Sequence, residues 1–245
     1  KAFKKNREGF FKDSATWRKR AVKLYEEIIN ESPGYHRLPE VLFHYALNQW
    51  EEKQFEDSLK YFRRIIKDYP NHPLHAKAWL RFGEYYFLEG DFHRAIKSYE
   101  ASAKLNDKET QTYSIYKEAW CYYNLSEFEK AIEKFREVLK LSDGAGQMSK
   151  TSRVALRKEA LKDILLSYSH VGNPEKAKMF FNSLGKGEAD WMIPALANLW
   201  FEQGKNSEAL YLYRLLLKEE PKSPKVPLRQ ARIVELAARL GDRDL

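Results

Sequence analysis

The chain has a single cysteine, Cys121, so no internal disulfide and no thiolate metal site can be built from it. That cysteine sits inside the aromatic run Trp120-Cys121-Tyr122-Tyr123 and reads as a buried, inert thiol rather than a nucleophile. Glycine and proline are sparse, which excludes a loop-rich or low-complexity chain. No run approaches the roughly 18 apolar residues of a membrane-spanning helix, and no signal-like apolar core is present. The nucleotide and zinc-protease patterns G-x-x-x-x-G-K-S/T, G-x-G-x-x-G after a strand, and H-E-x-x-H are all missing. Gly144-Ala145-Gly146 lacks the lysine a phosphate loop needs and reads as a plain loop. His72 and His75 flank Pro73 with no nearby carboxylate partner, as expected of exposed linker histidines and not of metal ligands. No catalytic residue, cofactor or metal is therefore expected.

What the chain does have is charge and aromatic bulk. Charged residues make up 32% and aromatics 14%, the composition of a helix-rich, well-packed fold and not of a disordered segment. The net charge of +8 is uneven. Residues 1–23 hold nine Lys or Arg against Glu8 and Asp13, so the remainder is close to neutral. A basic end of this kind can touch nucleic acid or anionic lipid, but a solvated helix face is the plainer expectation. The chain begins at Lys1 without a Met, as expected where a leader has been removed or the chain trimmed.

A repeat runs through the sequence. Small residues recur at Ala21, Ser58, Ala95, Ala131, Ala177 and Ala209, with gaps of 37, 37, 36, 46 and 32 residues. Four residues after each stands a large one: Tyr25, Phe62, Tyr99, Phe135, Phe181 and Tyr213. Seven after stand Ile28, Ile65, Ser102, Val138, Leu184 and Leu216. The i, i+4, i+7 spacing places each trio on one helical stripe. Twelve residues earlier a second small position appears at Ala46, Gly83, Ala119 and Ala197, with Leu165 as the exception. Phe55, Phe92 and Phe128 recur three residues before the first series. The pattern predicts helix pairs, the small residues of each pair letting the two helices approach closely. Pro33, Pro70 and Pro221 follow second helices and stop them. Gly90-Asp91 and Gly204-Lys205 mark turns within pairs, and Gly172-Asn173-Pro174 does so less regularly. The 46-residue gap contains the loop-like stretch 142–149 and then a basic helix from about Thr151, where the array is interrupted or a first helix lengthened. Residues 225–240 predict a further first helix or a capping helix, with its turn at Gly241-Asp242.

Trp79, Phe82, Gly83 and Tyr86, followed by Ala95 and Tyr99, spell W-x2-F-G-x2-Y and A-x3-Y. This resembles the tetratricopeptide repeat family. The resemblance extends over nearly the whole chain and implies an all-α, right-handed superhelical solenoid of about five to six repeats across residues 1–245. Tyr69-Pro70-Asn71-His72-Pro73 resembles the linker of periplasmic and outer-membrane-associated members. Tyr116–Leu125 is similar to repeats in envelope and gliding-motility members from delta-proteobacteria. The resemblance thus implies a periplasmic or outer-membrane-associated place, with the cytoplasm as the alternative. Peripheral attachment through an N-terminal anchor or the basic end is compatible with it.

Members of this family commonly hold ligands on the concave face made by first helices. In the phase set out above, the residues pointing there are Phe43, His44, Leu47, Trp50, Leu80, Arg81, Glu84, Phe87, Tyr113, Tyr116, Lys117, Trp120 and Tyr123. Aromatic rings beside an arginine dominate interface energies, so this face reads as a receptor for a partner peptide or helix. The competing expectation is that packing between repeats takes up several of these rings. Nucleic acid is not expected, because Arg81 and Lys117 are mixed with Glu84 and the excess charge lies elsewhere. The function expected is a non-enzymatic protein-interaction scaffold. The alternative is an envelope component that uses the aromatic face for a glycan.

Overall fold

A computed structural model describes residues 2–105, 108–143 and 149–241, with the side chains of 2–15, 108, 109, 150 and 153 left aside. Of the expected loop 142–149, residues 144–148 lie outside the described residues, as does Asp242, while Ser142 and Asp143 belong to the helix that ends there and Ser149 caps the next. Among the described residues there are twelve helices and no strand. They are α1 (Ala2–Glu31), α2 (Leu38–Glu51), α3 (Phe55–Asp68), α4 (Leu74–Leu88), α5 (Phe92–Ala103), α6 (Lys108–Asn124), α7 (Phe128–Asp143), α8 (Lys150–Val171), α9 (Pro174–Asn182), α10 (Glu188–Glu202), α11 (Asn206–Glu219) and α12 (Val226–Leu240). This is the all-α class of helical-repeat solenoids. The chain divides into two compact units, Lys1–Cys121 and Tyr122–Leu245.

The repeat phase is visible in burial. Ser58, Ala95, Ala131, Ala177 and Ala209 are fully buried, as are Phe62, Tyr99, Phe135 and Phe181 four residues on. Ser58 occupies a small position without an orphaned hydroxyl, because Oγ donates to the Ala46 carbonyl at 2.7 Å. Ser102 stands where other repeats carry an aliphatic residue. Its hydroxyl donates to the Ala76 carbonyl at 2.8 Å and accepts from Ser114 at 2.9 Å. The backbone turns repeat as well. Lys53, Gly90, Ser126 and Gly204 all have positive φ, each seven residues beyond the small position of its first helix.

In the first unit, Leu38, Leu42, Phe43 and Ala46 of α2 pack with Phe62 and Ile65 of α3 and Ala78 and Phe82 of α4. Tyr25, Ile28 and Ile29 of α1 close that core from the other side. In the second unit, α8 is 22 residues long against 15 for α10, so the 46-residue gap is a lengthened first helix. The turn from α8 to α9 is two residues, Gly172-Asn173, where the other pairs use three. Leu165, the exception to the twelve-residue rule, is half-buried. Ile164, Ser167 and Ser169 are fully buried there, and Tyr168 stacks on Phe180 at 4.8 Å.

Candidate docking face of the first unit

The fold leaves all but one of the residues expected on this face at least partly accessible, and links several of their side chains to one another. His44 is exposed; Leu47, Trp50, Leu80, Arg81, Glu84, Phe87, Tyr113, Tyr116, Lys117 and Trp120 are half-buried. Phe43 is a correction. It is 8% exposed and packs edge-on against Phe62 at 5.4 Å, so it belongs to the core and not to the face. The position three residues before Ala46 thus packs against its own second helix in this repeat. Tyr123 belongs to the second unit. Its ring lies 5.4 Å from Phe128, and its hydroxyl shares a hydrogen bond with His170 Nε2 at 3.2 Å.

The rings of the face follow one rule. A ring four residues past the small position of a first helix meets the aromatic that opens the second helix. Trp50 meets Phe55 at 4.8 Å and Phe87 meets Phe92 at 5.4 Å, both edge-to-face. A cation from the next first helix, two residues before its small position, then covers that ring. Arg81 lies 5.9 Å from the Trp50 ring and Lys117 lies 5.4 Å from Phe87. Each such contact contributes about 0.5–1 kcal/mol where it is solvent-accessible. Arg81 is held further by Glu84, with Nη1 donating to Oε2 at 2.6 Å. Only the cation half returns in the second unit, where Phe201 carries Arg232 at 4.0 Å and Arg239 at 4.5 Å. In the repeat with the lengthened α8 no cation is seen over the Tyr123 ring among the described residues; His170 meets it edge-on at 5.7 Å and stacks on Phe128 at 4.1 Å. The sequence shows Phe55, Phe92 and Phe128 as periodic, but not that they pair with the face.

Chemistry elsewhere on the molecule is sparse. Cys121 is fully buried, and desolvation pushes its thiol up to about 12, far from a reactive thiolate. His72 and His75 are half-buried, not exposed, and His72 has the carboxylate neighbour that the sequence does not reveal: Nε2 lies 3.9 Å from Glu40 Oε2. Burial lowers the pKa of His75. Among the described residues no group of three His, Cys, Asp or Glu could hold a metal ion. Part of the basic N-terminal charge is paired, since Arg18 bridges Glu51 and Glu52 of α2 at 3.0 and 3.5 Å. No described helix is long and apolar enough to cross a membrane. What the first-helix face can do is dock another surface, with rings for area and Arg81 and Lys117 for charge.

Comparison with known proteins agrees with the repeat phase. Residues 46–110 and residues 113–142 each match a tetratricopeptide repeat model. Among solved structures, a tetratricopeptide repeat protein from Parabacteroides merdae is 14% identical, over 96% of this chain and 85% of that one. Its TM-score of 0.55 reflects a shared fold. The Naa15/Naa10 complex bound to HypK-THB is also similar, at 17% identity over 94% of this chain and 38% of that one. Its TM-score of 0.30 is too low to carry an argument.

Proposed function

We propose that this all-α array, with tetratricopeptide repeats over residues 46–110 and 113–142, is a non-enzymatic scaffold that holds a protein partner on the first-helix face of its first unit. The observation that carries the reading is the ring-and-cation rule. Trp50 with Arg81, and Phe87 with Lys117, present the same chemistry once per repeat. A peptide or helix lying across successive first helices meets that chemistry at regular intervals. Half-buried aromatics held by neighbours lose little entropy on docking, which suits them to be anchors. The partner is a peptide or helix with apolar anchors for the rings. A place in a bacterial envelope complex, periplasmic or at the outer membrane, is part of this proposal and rests on the likeness of Tyr69–Pro73 to linkers of envelope members.

The experiment is a binding measurement with variants of the face. Trp120 is half-buried on α6, and its truncation to alanine is expected to weaken the partner by about 2 kcal/mol or more, as for a central anchor. Stability is expected to fall by less. Undiminished affinity in Trp120→Ala and Arg81→Ala together would remove the face from the account.

A further inference from the structure

The second unit carries a cavity that partner docking on the first unit does not use. It measures about 520 Å³ and lies between α8 and α10. That is within the roughly 300–1,000 Å³ range of small-ligand sites. The lengthened α8 supplies one wall. Val154, Lys158, Leu161 and Lys162 stand at i, i+4, i+7 and i+8, and so fall on a single stripe of the helix. The first turn of α10 supplies the other wall through Trp191. Val154 is 60% exposed and Trp191 40% exposed, so two large apolar side chains face open space at this site.

The indole is fixed in place. Trp191 Nε1 donates to Glu188 Oε2 at 2.7 Å, while Arg157 Nη2 donates to Glu188 Oε1 at 3.0 Å. Arg157 also bonds Asp143 Oδ1 at 3.1 Å, tying the wall to the end of α7. Both oxygens of the one lining carboxylate are therefore engaged, and its charge is offset by Arg157. The positive charge left over is on α8. Among the described residues Lys158 is exposed with no ion-pair partner, and Lys162 has only an exposed surface pair with Glu159 at 3.0 Å. An apolar cavity with two available ammonium groups on one wall has a definite complement.

We infer that this cavity binds a small amphipathic anion, with an acyl or aryl body against Val154, Leu161 and the Trp191 indole and a carboxylate-type head at Lys158 and Lys162. Burial of the body supplies affinity and the two lysines supply the sign of the charge. A cation of the same shape meets two like charges. An uncharged analogue keeps the burial and loses the head-group contacts. The lining spans one turn of α10 and about two turns of α8, enough for one chain end or ring and short for an extended peptide.

The test uses the whole chain and decanoate, kept below its micellar concentration, in a calorimetric titration. Decyltrimethylammonium and decanol are titrated in parallel. Lys158→Glu and Trp191→Ala are measured beside the wild type, and circular-dichroism melts confirm that they fold, as their exposure leads one to expect. Saturable one-to-one binding of decanoate is expected, weaker by roughly tenfold or more in either variant and for decanol. The cation is expected not to saturate. Absence of saturable decanoate binding to the wild type overturns the inference. So does equal binding of the cation or of decanol, or unchanged binding in both variants. Should an acidic, leucine-containing peptide bind the cavity where decanoate does not, the small-anion assignment is likewise wrong. None of these outcomes touches the face of the first unit, so the two sites stand or fall separately.

Discussion

At Gly83 there is no room for a side chain. A Cβ built there collides with three carbons of the fully buried Tyr99 ring, the same ring the repeat places four residues after Ala95. Gly83→Ala is expected to cost about 1–3 kcal/mol through overpacking, read as a fall in melting temperature. An unchanged melt would mean that α4 and α5 do not meet as described. The turn glycines obey a different constraint. Gly90 has φ +73° with open space around it, so Gly90→Ala is expected to lose about 1 kcal/mol to backbone strain alone. Ser126 adopts φ +60° at the equivalent turn without being glycine. Ser126→Gly should therefore shift stability the other way, by up to about 1 kcal/mol. Shifts of the same sign in both variants would show that φ is not what governs these turns. The small and aromatic positions were legible from sequence because the core tolerates few alternatives at 0% exposure, as at Ala95 and Tyr99. Phe43 was not. Residues at its offset, Leu80 and Tyr116, remain half-buried, and nothing in the repeat marks Phe43 as the one that packs inward on Phe62.

Elements start and stop where their ends can be satisfied. Asp91 caps α5, its Oδ1 accepting the Arg94 N–H at 2.9 Å, and the Arg94 side chain pairs with the other oxygen. The backbone bond first, and then the Arg94 side chain, holds this carboxyl below its ordinary value of 3.8. A carboxyl that is more acidic in the folded state stabilises above its ordinary value, and that contribution fades as pH falls through the lowered one. Asp91→Ala is thus expected to melt below wild type at neutral pH, the gap closing as pH drops beneath the carboxylate range. Asp91→Asn keeps an acceptor and should show most of the cap with none of the pH dependence. Melts across pH decide it, and a gap that stays constant into acid would contradict the assignment. The break in the array was legible as a 46-residue gap, but its form was not. Neither the two-residue turn Gly172-Asn173 nor the burial of Ile164 and Ser167 follows a twelve-residue offset. For the same reason the cavity beside α8 lies outside any face drawn from the phase alone.

On the scale of the whole molecule, a linear array grows by adding helix pairs, so one local solution can be reused along the chain. The same ring-over-turn and cation-over-ring arrangement appears in the first unit at Trp50 and Phe87, and its cation half reappears in the second at Phe201. Sequence periodicity therefore picks out the residues proposed for the first-helix face, while the pairings that hold them depend on side-chain reach across a turn, which periodicity does not encode. Those pairings take up part of each ring and leave His44 exposed and Leu47, Trp120 and Tyr116 half-buried. Whether this face is the docking surface can be measured directly. A partner taken from the source cell is purified, and its affinity is determined for wild type, Trp120→Ala, Arg81→Ala and Lys97→Ala, each with its melting temperature. Lys97 is exposed on the second helix α5 and serves as the control. The account predicts losses of about 2 kcal/mol for Trp120→Ala and a smaller loss for Arg81→Ala, with Lys97→Ala at wild-type affinity. Equal affinities in all four proteins, or normal binding by whatever Trp120→Ala remains folded, would contradict it.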